Sequence, residues 1–227
     1  MNSSHLLTDR LGAQVRSDDF ESRLRATRTT RFVGERVALE PLTQDHEAGL
    51  FKAASHVGIW RYTQMHALGN PLPTEREAFH TDFMAVLASA ERGERIPFAT
   101  TLKATDQLVG SSSYCTLRPK HLGVEIGWTW LTPSTWGMGI NAEAKLLMLR
   151  HAFEVAGCQR VEFETDALNE RSRRALEALP ATFEGVLRDW KRVYEVRRSS
   201  AVYSILDREW PEVKEHLKKR LAKRPLV

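Results

Sequence analysis

The chain has 227 residues, enough for one domain with a substantial core and too few for two large ones. Its 33 Lys+Arg against 29 Asp+Glu leave a net charge of +4, too mild without a concentrated patch to imply a nucleic-acid partner. Cys115 and Cys158 lie in apolar segments with no His/Cys cluster around them, so they read as buried free thiols and metal ligation has little support.

In chain order, residues 1–30 mix Ser, Thr, Asp and Arg with few large apolar groups and read as a flexible arm with room for a short helix. Residues 31–227 are expected to form a single domain. The first residues lack the apolar core of a signal peptide, and no run approaches membrane-spanning length. A soluble cytoplasmic protein with no membrane partner is the expectation.

RVALEPL (36–42) predicts a strand ended by Pro41, then an amphipathic helix through Glu47, Leu50, Phe51 and Ala54. After the loop HALGNPLP, a second helix is predicted from Thr74, as its cap, to about Arg92. The period then changes. IPFATTLK, QLVGSSSYCTL and GVEIGWTWL are rich in β-branched and aromatic residues, and TDQ separates the first two as a hairpin turn would. A long helix follows from about Gly139 to Val155, stopped by Gly157, and RVEFETDA (160–167) is the next strand. Strand, helix, strand implies a parallel pair joined by a crossover. A shorter helix near Asn169, a closing pair from TFEGVLR and SSAVYSIL, and a C-terminal helix complete the chain. From Arg208 to Arg224 that last helix has seven Lys/Arg against three Glu, with Trp210, Val213, Leu217 and Leu221 at helical spacing. It reads as an amphipathic helix, with an acidic partner as the alternative.

The stretch STWGMGINAEAKLLMLRHAF (134–153) carries the chemistry. Its two glycines sit between a strand ending at Leu131 and a helix about 25 Å long. The unpaired N–H groups of Gly137, Met138, Gly139, Ile140 and Asn141 are expected to converge there, aided by the helix dipole, on an anion. No Lys-Ser/Thr follows the second glycine, against a nucleoside-triphosphate loop. The preceding strand belongs to an antiparallel meander and a third glycine is missing, against a dinucleotide fingerprint.

VEIGWTWLTPSTWGMGINAEA, TDALNERSRRALEAL and FEGVLR, in that order and spacing, resemble the GNAT superfamily of N-acetyltransferases, nearest its RimJ/RimL-like branch, over about residues 31–211. The resemblance implies a mixed α/β fold, with a mostly antiparallel sheet splayed at one parallel pair and flanked by helices. It implies acetyl-CoA as cosubstrate and no metal. The pyrophosphate would lie on the backbone of Gly137, Met138, Gly139, Ile140, Asn141 and Ala142, bordered by Leu131 and Trp136. Asn169 and Ser172 match the family's Asn-x-x-Ser/Ala beside the pantetheine, although Asn169 also suits a plain helix cap and Ser172 an ordinary early-helix serine. The sequence departs from the pattern at four positions: Trp136 stands for Gln/Arg, Asn141 for a small residue, Leu176 for the tyrosine that protonates the leaving thiolate, and Pro180 for a helix-ending glycine.

Acetyl transfer to an amine needs a neutral nucleophile and a polarised carbonyl. An N-terminal amine of pKa ~8 is about one-tenth neutral at pH 7, whereas lysine at ~10.4 is below about one in a thousand, so a weak base suffices for the former. Glu125 is the candidate base: it interrupts an apolar strand, where a carboxylate is costly unless it is paired or faces a wet cleft. That strand is one residue longer than in many relatives, and the slip reverses its faces unless a bulge absorbs it. Backbone N–H groups near Trp128 to Trp130 would then serve the carbonyl, and Ser172 could relay a proton to the thiolate. Glu143 reads as complementing the helix dipole or as structural rather than catalytic, because a carboxylate aimed at the pyrophosphate would repel it. Trp60, Arg61 and Tyr62 are expected at the acceptor groove, where a primary amine, of a protein N-terminus or a small molecule, would bind. Core packing is the alternative for Trp60 and Tyr62. The branch contains dimers, which leaves a homodimer open. The rival functions are a non-catalytic acyl-CoA-binding module and a nucleotide-binding protein.

Overall fold

The computed structural model describes residues 19–62, 74–193 and 196–224. Residues 1–18 and the loop HALGNPLP lie outside the described residues. The strands are β1 (Phe32–Val33), β2 (Val37–Pro41), β3 (Arg95–Leu102), β4 (Leu108–Arg118), β5 (Gly123–Leu131), β6 (Arg160–Asp166), β7 (Thr182–Val193) and β8 (Val196–Leu206). They form one sheet in the order β1-β2-β3-β4-β5-β6-β8-β7. Every neighbouring pair is antiparallel except β5 and β6.

The helices are α1 (19–26), α2 (Glu47–Ala54), α3 (Arg76–Glu91), α4 (Ile140–Arg150), α5 (Glu170–Glu177) and α6 (Trp210–Ala222). Two apolar clusters form. Trp60, Phe79 and Phe83 of the α2–α3 side pack on Leu50, Ala54 and Ala99. Met148, Leu149, Leu217 and Val213 of α4 and α6 pack on Val124, Ile126, Phe98 and Val161. Helix α4 runs into a π-helical turn, His151–Ala156, and stops at Gly157, whose φ of +80° lies in the left-handed region where glycine is unstrained.

Three sequence expectations change. Residues 19–30, expected within a flexible arm, carry α1, and Phe20 and Leu24 are buried in the α4–α6 cluster. Two apolar side chains on one helical face repay the ordering that the polar composition argued against. The α3 helix begins at Arg76 with Glu75 rather than Thr74 in the cap position. The closing strands run much longer than TFEGVLR and SSAVYSIL, to 12 and 11 residues.

Two features of β5 position the site. It pairs with β6 at only Gly123, Val124 and Glu125, after which the strands diverge and open a cleft. Toward β4, Ser111 faces Trp130 while Ser113 faces Gly127, so two β5 residues, Trp128 and Thr129, stand opposite the single residue Ser112. Trp128 sits at this bulge with φ +53°. The bulge absorbs the extra residue. Trp130 accordingly packs against Trp60 on the α2–α3 side, ring centroids 5.3 Å apart and planes tilted by 50°, and Thr129 meets Ser112 at 2.7 Å beneath the bulge.

Candidate active site

The divergence of β5 and β6 opens onto a cavity of about 370 Å³ that reaches from the α4 N-terminus to Glu125, within the usual range for a ligand site. At one end lies the loop before α4. Gly137 and Gly139 have φ of +81° and +87°, a conformation open to glycine at little cost, and a Cβ on Gly137 would meet nothing within 4 Å. The first α4 bond is Glu143 N–H to Gly139 O, at 2.9 Å. The N–H groups of Gly137, Gly139, Ile140, Asn141 and Ala142 have no acceptor among the described residues. Gly139 offers no side-chain cap either. These are free donors at the positive end of an 11-residue helix. Two expected members of the cradle contribute less. Met138 N–H donates to Thr135 O at 3.3 Å and its exposed side chain does not line the cavity, because the turn consumes its donor. Ile140 is fully buried in the core and does not line the cavity.

Trp136, in the place of the family's Gln/Arg, closes the loop from outside. Its indole N–H donates to Leu131 O at 2.9 Å, and the Arg171 guanidinium lies 3.6 Å from its ring centroid. Leu131 and Trp136 both line the cavity. The Asn141 Oδ1 is buried with no partner among the described residues. Asn169 caps α5, its Oδ1 accepting from Ser172 N–H at 3.1 Å, and both residues also line the cavity. Leu176 lines the wall with a buried apolar side chain, so its position supplies no acid.

At the other end, Glu125 borders the cavity and has no Arg or Lys ion-pair partner among the described residues. Its carboxylate accepts a hydrogen bond from the Thr116 hydroxyl at 2.7 Å. Burial raises its pKa, and the nearby carboxylates of Glu164 and Glu162 push the same way, against the Thr116 bond and Lys191. This is a carboxylate poised to take a proton rather than one satisfied by a salt bridge. Glu143, by contrast, is structural: its carboxylate accepts the backbone N–H of Glu35, Arg36 and Val37 at 2.7 to 3.0 Å and lies against the Arg36 guanidinium.

Tyr62 lines the cavity. Trp60 does not: it is fully buried, its indole N–H donates to Ala54 O at 2.9 Å, and its ring packs on Trp130, so it is core rather than a substrate contact. Both cysteines are buried free thiols whose pKa burial pushes up to about 12, which leaves them protonated and inert.

Sequence reasoning missed Lys145. It is buried on the second turn of α4, lines the cavity, and donates to Ser112 Oγ at 2.9 Å and to Thr129 Oγ1. Burial lowers its pKa to about 7. The amine ties β4 to the β5 bulge from below. The signal was a cation on a helical face shared with Met148, Leu149 and Ala152. Arg171, Arg220 and Arg224, which line the loop end, were also missed as site residues.

Residues 36–182 match the family described as "Acetyltransferase (GNAT) domain". The chain belongs to this family. It is 26% identical to the uncharacterised N-acetyltransferase YoaA of Bacillus subtilis over 76% of this chain and 94% of that one. A solved structure from T. thermophilus, described as an acetyltransferase, is 38% identical at a TM-score of 0.74, covering 84% of this chain and 96% of that one. RimJ of Mycobacterium smegmatis, solved in complex with CoA-disulfide, shares the fold at a TM-score of 0.69 and 20% identity, covering 87% of this chain and 95% of that one. The splayed GNAT sheet therefore stands as the sequence implied, and RimJ is among the structures that share its fold.

Proposed function

We propose that this GNAT protein transfers the acetyl group of acetyl-CoA to a primary amine, of a protein N-terminus or a small molecule, by direct attack. The observation that carries the reading is one cleft with backbone N–H groups that have no acceptor among the described residues at one end and, at the other, a desolvated carboxylate that makes no ion pair with a described Arg or Lys. The donors suit a pyrophosphate. Glu125 suits a proton leaving an ammonium nucleophile, directly or through a water.

The remaining residues fit a thioester between these ends. The bulge at Trp128 turns the β5 backbone out of register beside the cavity, where an N–H can serve the carbonyl oxygen. Lys145, Ser112 and Thr129 hold that bulge from the α4 side. Ser172 is the candidate relay of a proton to the departing thiolate, a good leaving group that tolerates Leu176 where relatives have tyrosine. Tyr62, with Arg61 lying 5.4 Å from its ring centroid, borders the acceptor side. Direct attack on a thioester calls for no metal. Cytoplasmic location, a homodimer, and the absence of membrane and nucleic-acid partners belong to the same proposal. Among the described residues, no helix is long and apolar enough to cross a membrane.

The test is release of free thiol from acetyl-CoA with a mixed panel of amines. Amine-dependent release is the expected result. Tight CoA binding with no release under any amine replaces the enzyme with an acyl-CoA-binding module. Thermal protection by CoA, but not by ATP or NAD, separates both from a nucleotide-binding protein.

A further inference from the structure

The basic C-terminal helix takes part in the cleft. The end of α6 lies across the loop before α4: the Arg224 guanidinium donates to Gly137 O, and a Cβ on Gly139 would stand 3.3 Å from Arg224 Cδ and 3.4 Å from Leu221 Cδ2. Buried Arg36 fixes this end of the helix by donating to Leu221 O at 3.0 Å and Arg224 O at 2.8 Å. One turn earlier, Arg220 donates to Ala178 O at 2.7 Å beyond the end of α5. Both arginines line the cavity.

Two cations near a helix C-terminus also complement the dipole, and that is the plain structural account. It does not explain their arrangement. Arg220 and Arg224 stand four residues apart, where like charges repel. Neither has a carboxylate partner among the described residues, whereas Arg23, Arg25, Arg31, Arg118, Arg160 and Arg198 each pair with Asp or Glu. Burial and then the charge of Arg224 both lower the Arg220 pKa. Each guanidinium spends a donor on a main-chain carbonyl, which fixes it, and has further N–H groups to direct at an anion.

We propose that Arg220 and Arg224 are phosphate ligands of CoA, so that the C-terminal helix forms the second wall of the phosphate site opposite the loop amides. This rests on the acetyl-CoA reading above. The shared chemistry is a phosphate oxygen, supplied by the pyrophosphate or by the ribose 3′-phosphate. The contact of Arg224 with Gly137 brings it to the loop, and Arg220 stands one helical turn away.

The experiment is calorimetric titration of the full chain with CoA and with 3′-dephospho-CoA, for wild type, Arg220→Gln, Arg224→Gln and the corresponding Lys variants. Each Gln variant is expected to weaken CoA binding about tenfold or more, with the Lys variants in between and with a shallower dependence of affinity on salt. Equal loss for both ligands assigns the pyrophosphate, and loss for CoA alone assigns the 3′-phosphate. CoA affinity within about twofold of wild type in both Gln variants overturns the proposal. A Gln variant with a lowered melting temperature whose Lys counterpart fails to regain CoA affinity overturns it as well, because packing then explains the loss. Wild type that binds neither ligand ends the acetyl-CoA reading and this proposal together, whereas tight binding indifferent to the arginines ends this proposal alone.

Discussion

At the loop end of the cleft, the groups that face a ligand are backbone N–H donors carried by two glycines at positive φ, backed by arginines. At the bulge end they are side chains stripped of water, Glu125 with its pKa raised and Lys145 with its pKa lowered, each held by hydroxyl groups. A backbone cradle has no ionisation to tune and works over a wide pH range. A desolvated acid and a desolvated amine both shift toward their neutral forms, and so tie the chemistry to pH. In the proposed enzyme, donor affinity and turnover therefore depend on separate parts of the cleft.

The largest effect that could break this division is Glu125→Gln. It should lower kcat about 10²- to 10⁴-fold while leaving CoA affinity within about twofold, measured by thiol release and calorimetry. In wild type, activity should fall as pH drops through the raised Glu125 pKa, and that acidic limb should vanish from the residual activity of the variant. A limb that survives in Glu125→Gln would move the base elsewhere in the cleft.

Lys145 sharpens the same contrast through stability. Its folded pKa of about 7 lies below the ordinary 10.5, so between these values the unfolded chain binds a proton that the folded chain does not. Wild-type stability should therefore gain up to about 5 kcal/mol from this group as pH rises through that window, and below about pH 7 the full penalty remains. Lys145→Met lacks this dependence. Urea unfolding at pH 7 and pH 10 should show the difference between wild type and variant moving in favour of wild type at the higher pH. A difference that does not change with pH means the amine stays charged when buried.

A smaller effect is expected at the loop. Gly137→Ala places a Cβ where nothing lies within 4 Å, so its stability cost is that of a left-handed backbone alone, about 1–2 kcal/mol. CoA affinity should fall by more than this, because the Cβ enters the open side of the cradle. Unchanged affinity would remove Gly137 from the cradle.

What the sequence made legible follows from periodicity. The meander, the crossover helix and the parallel pair were readable because β3 to β6 alternate or run apolar and α4 is long. The loop was readable because glycine has a steric reason to stand there. The bulge was visible only as one extra residue in GVEIGWTWL, and its consequence depended on pairing with β4 that the sequence does not state. Phe20 and Leu24 were hidden by polar neighbours. Trp60 looked like a groove residue because aromatic side chains suit both a core and a binding surface. Lys145, Arg220 and Arg224 acquire their roles from elements far away in the chain: Lys145 from β4 and β5, Arg220 from the end of α5, and Arg224 from the loop before α4. No local pattern records such contacts.

The smallest effect is expected at Asn169. Its Oδ1 caps α5 through Ser172 N–H, and it lines the cavity, so one side chain serves stability and the site at once. Asn169→Ala removes both roles, should cost about 1 kcal/mol, and cannot tell them apart. Asn169→Ser can, because serine keeps an oxygen that caps the helix nearly as well while withdrawing the amide N–H₂ donors from the cleft. If the amide holds the pantetheine arm, Asn169→Ser should match wild type in urea yet bind CoA several-fold more weakly. If both stability and affinity stay at wild-type values, Asn169 is a helix cap that happens to border the cleft, and any pantetheine contacts come from other residues of the wall.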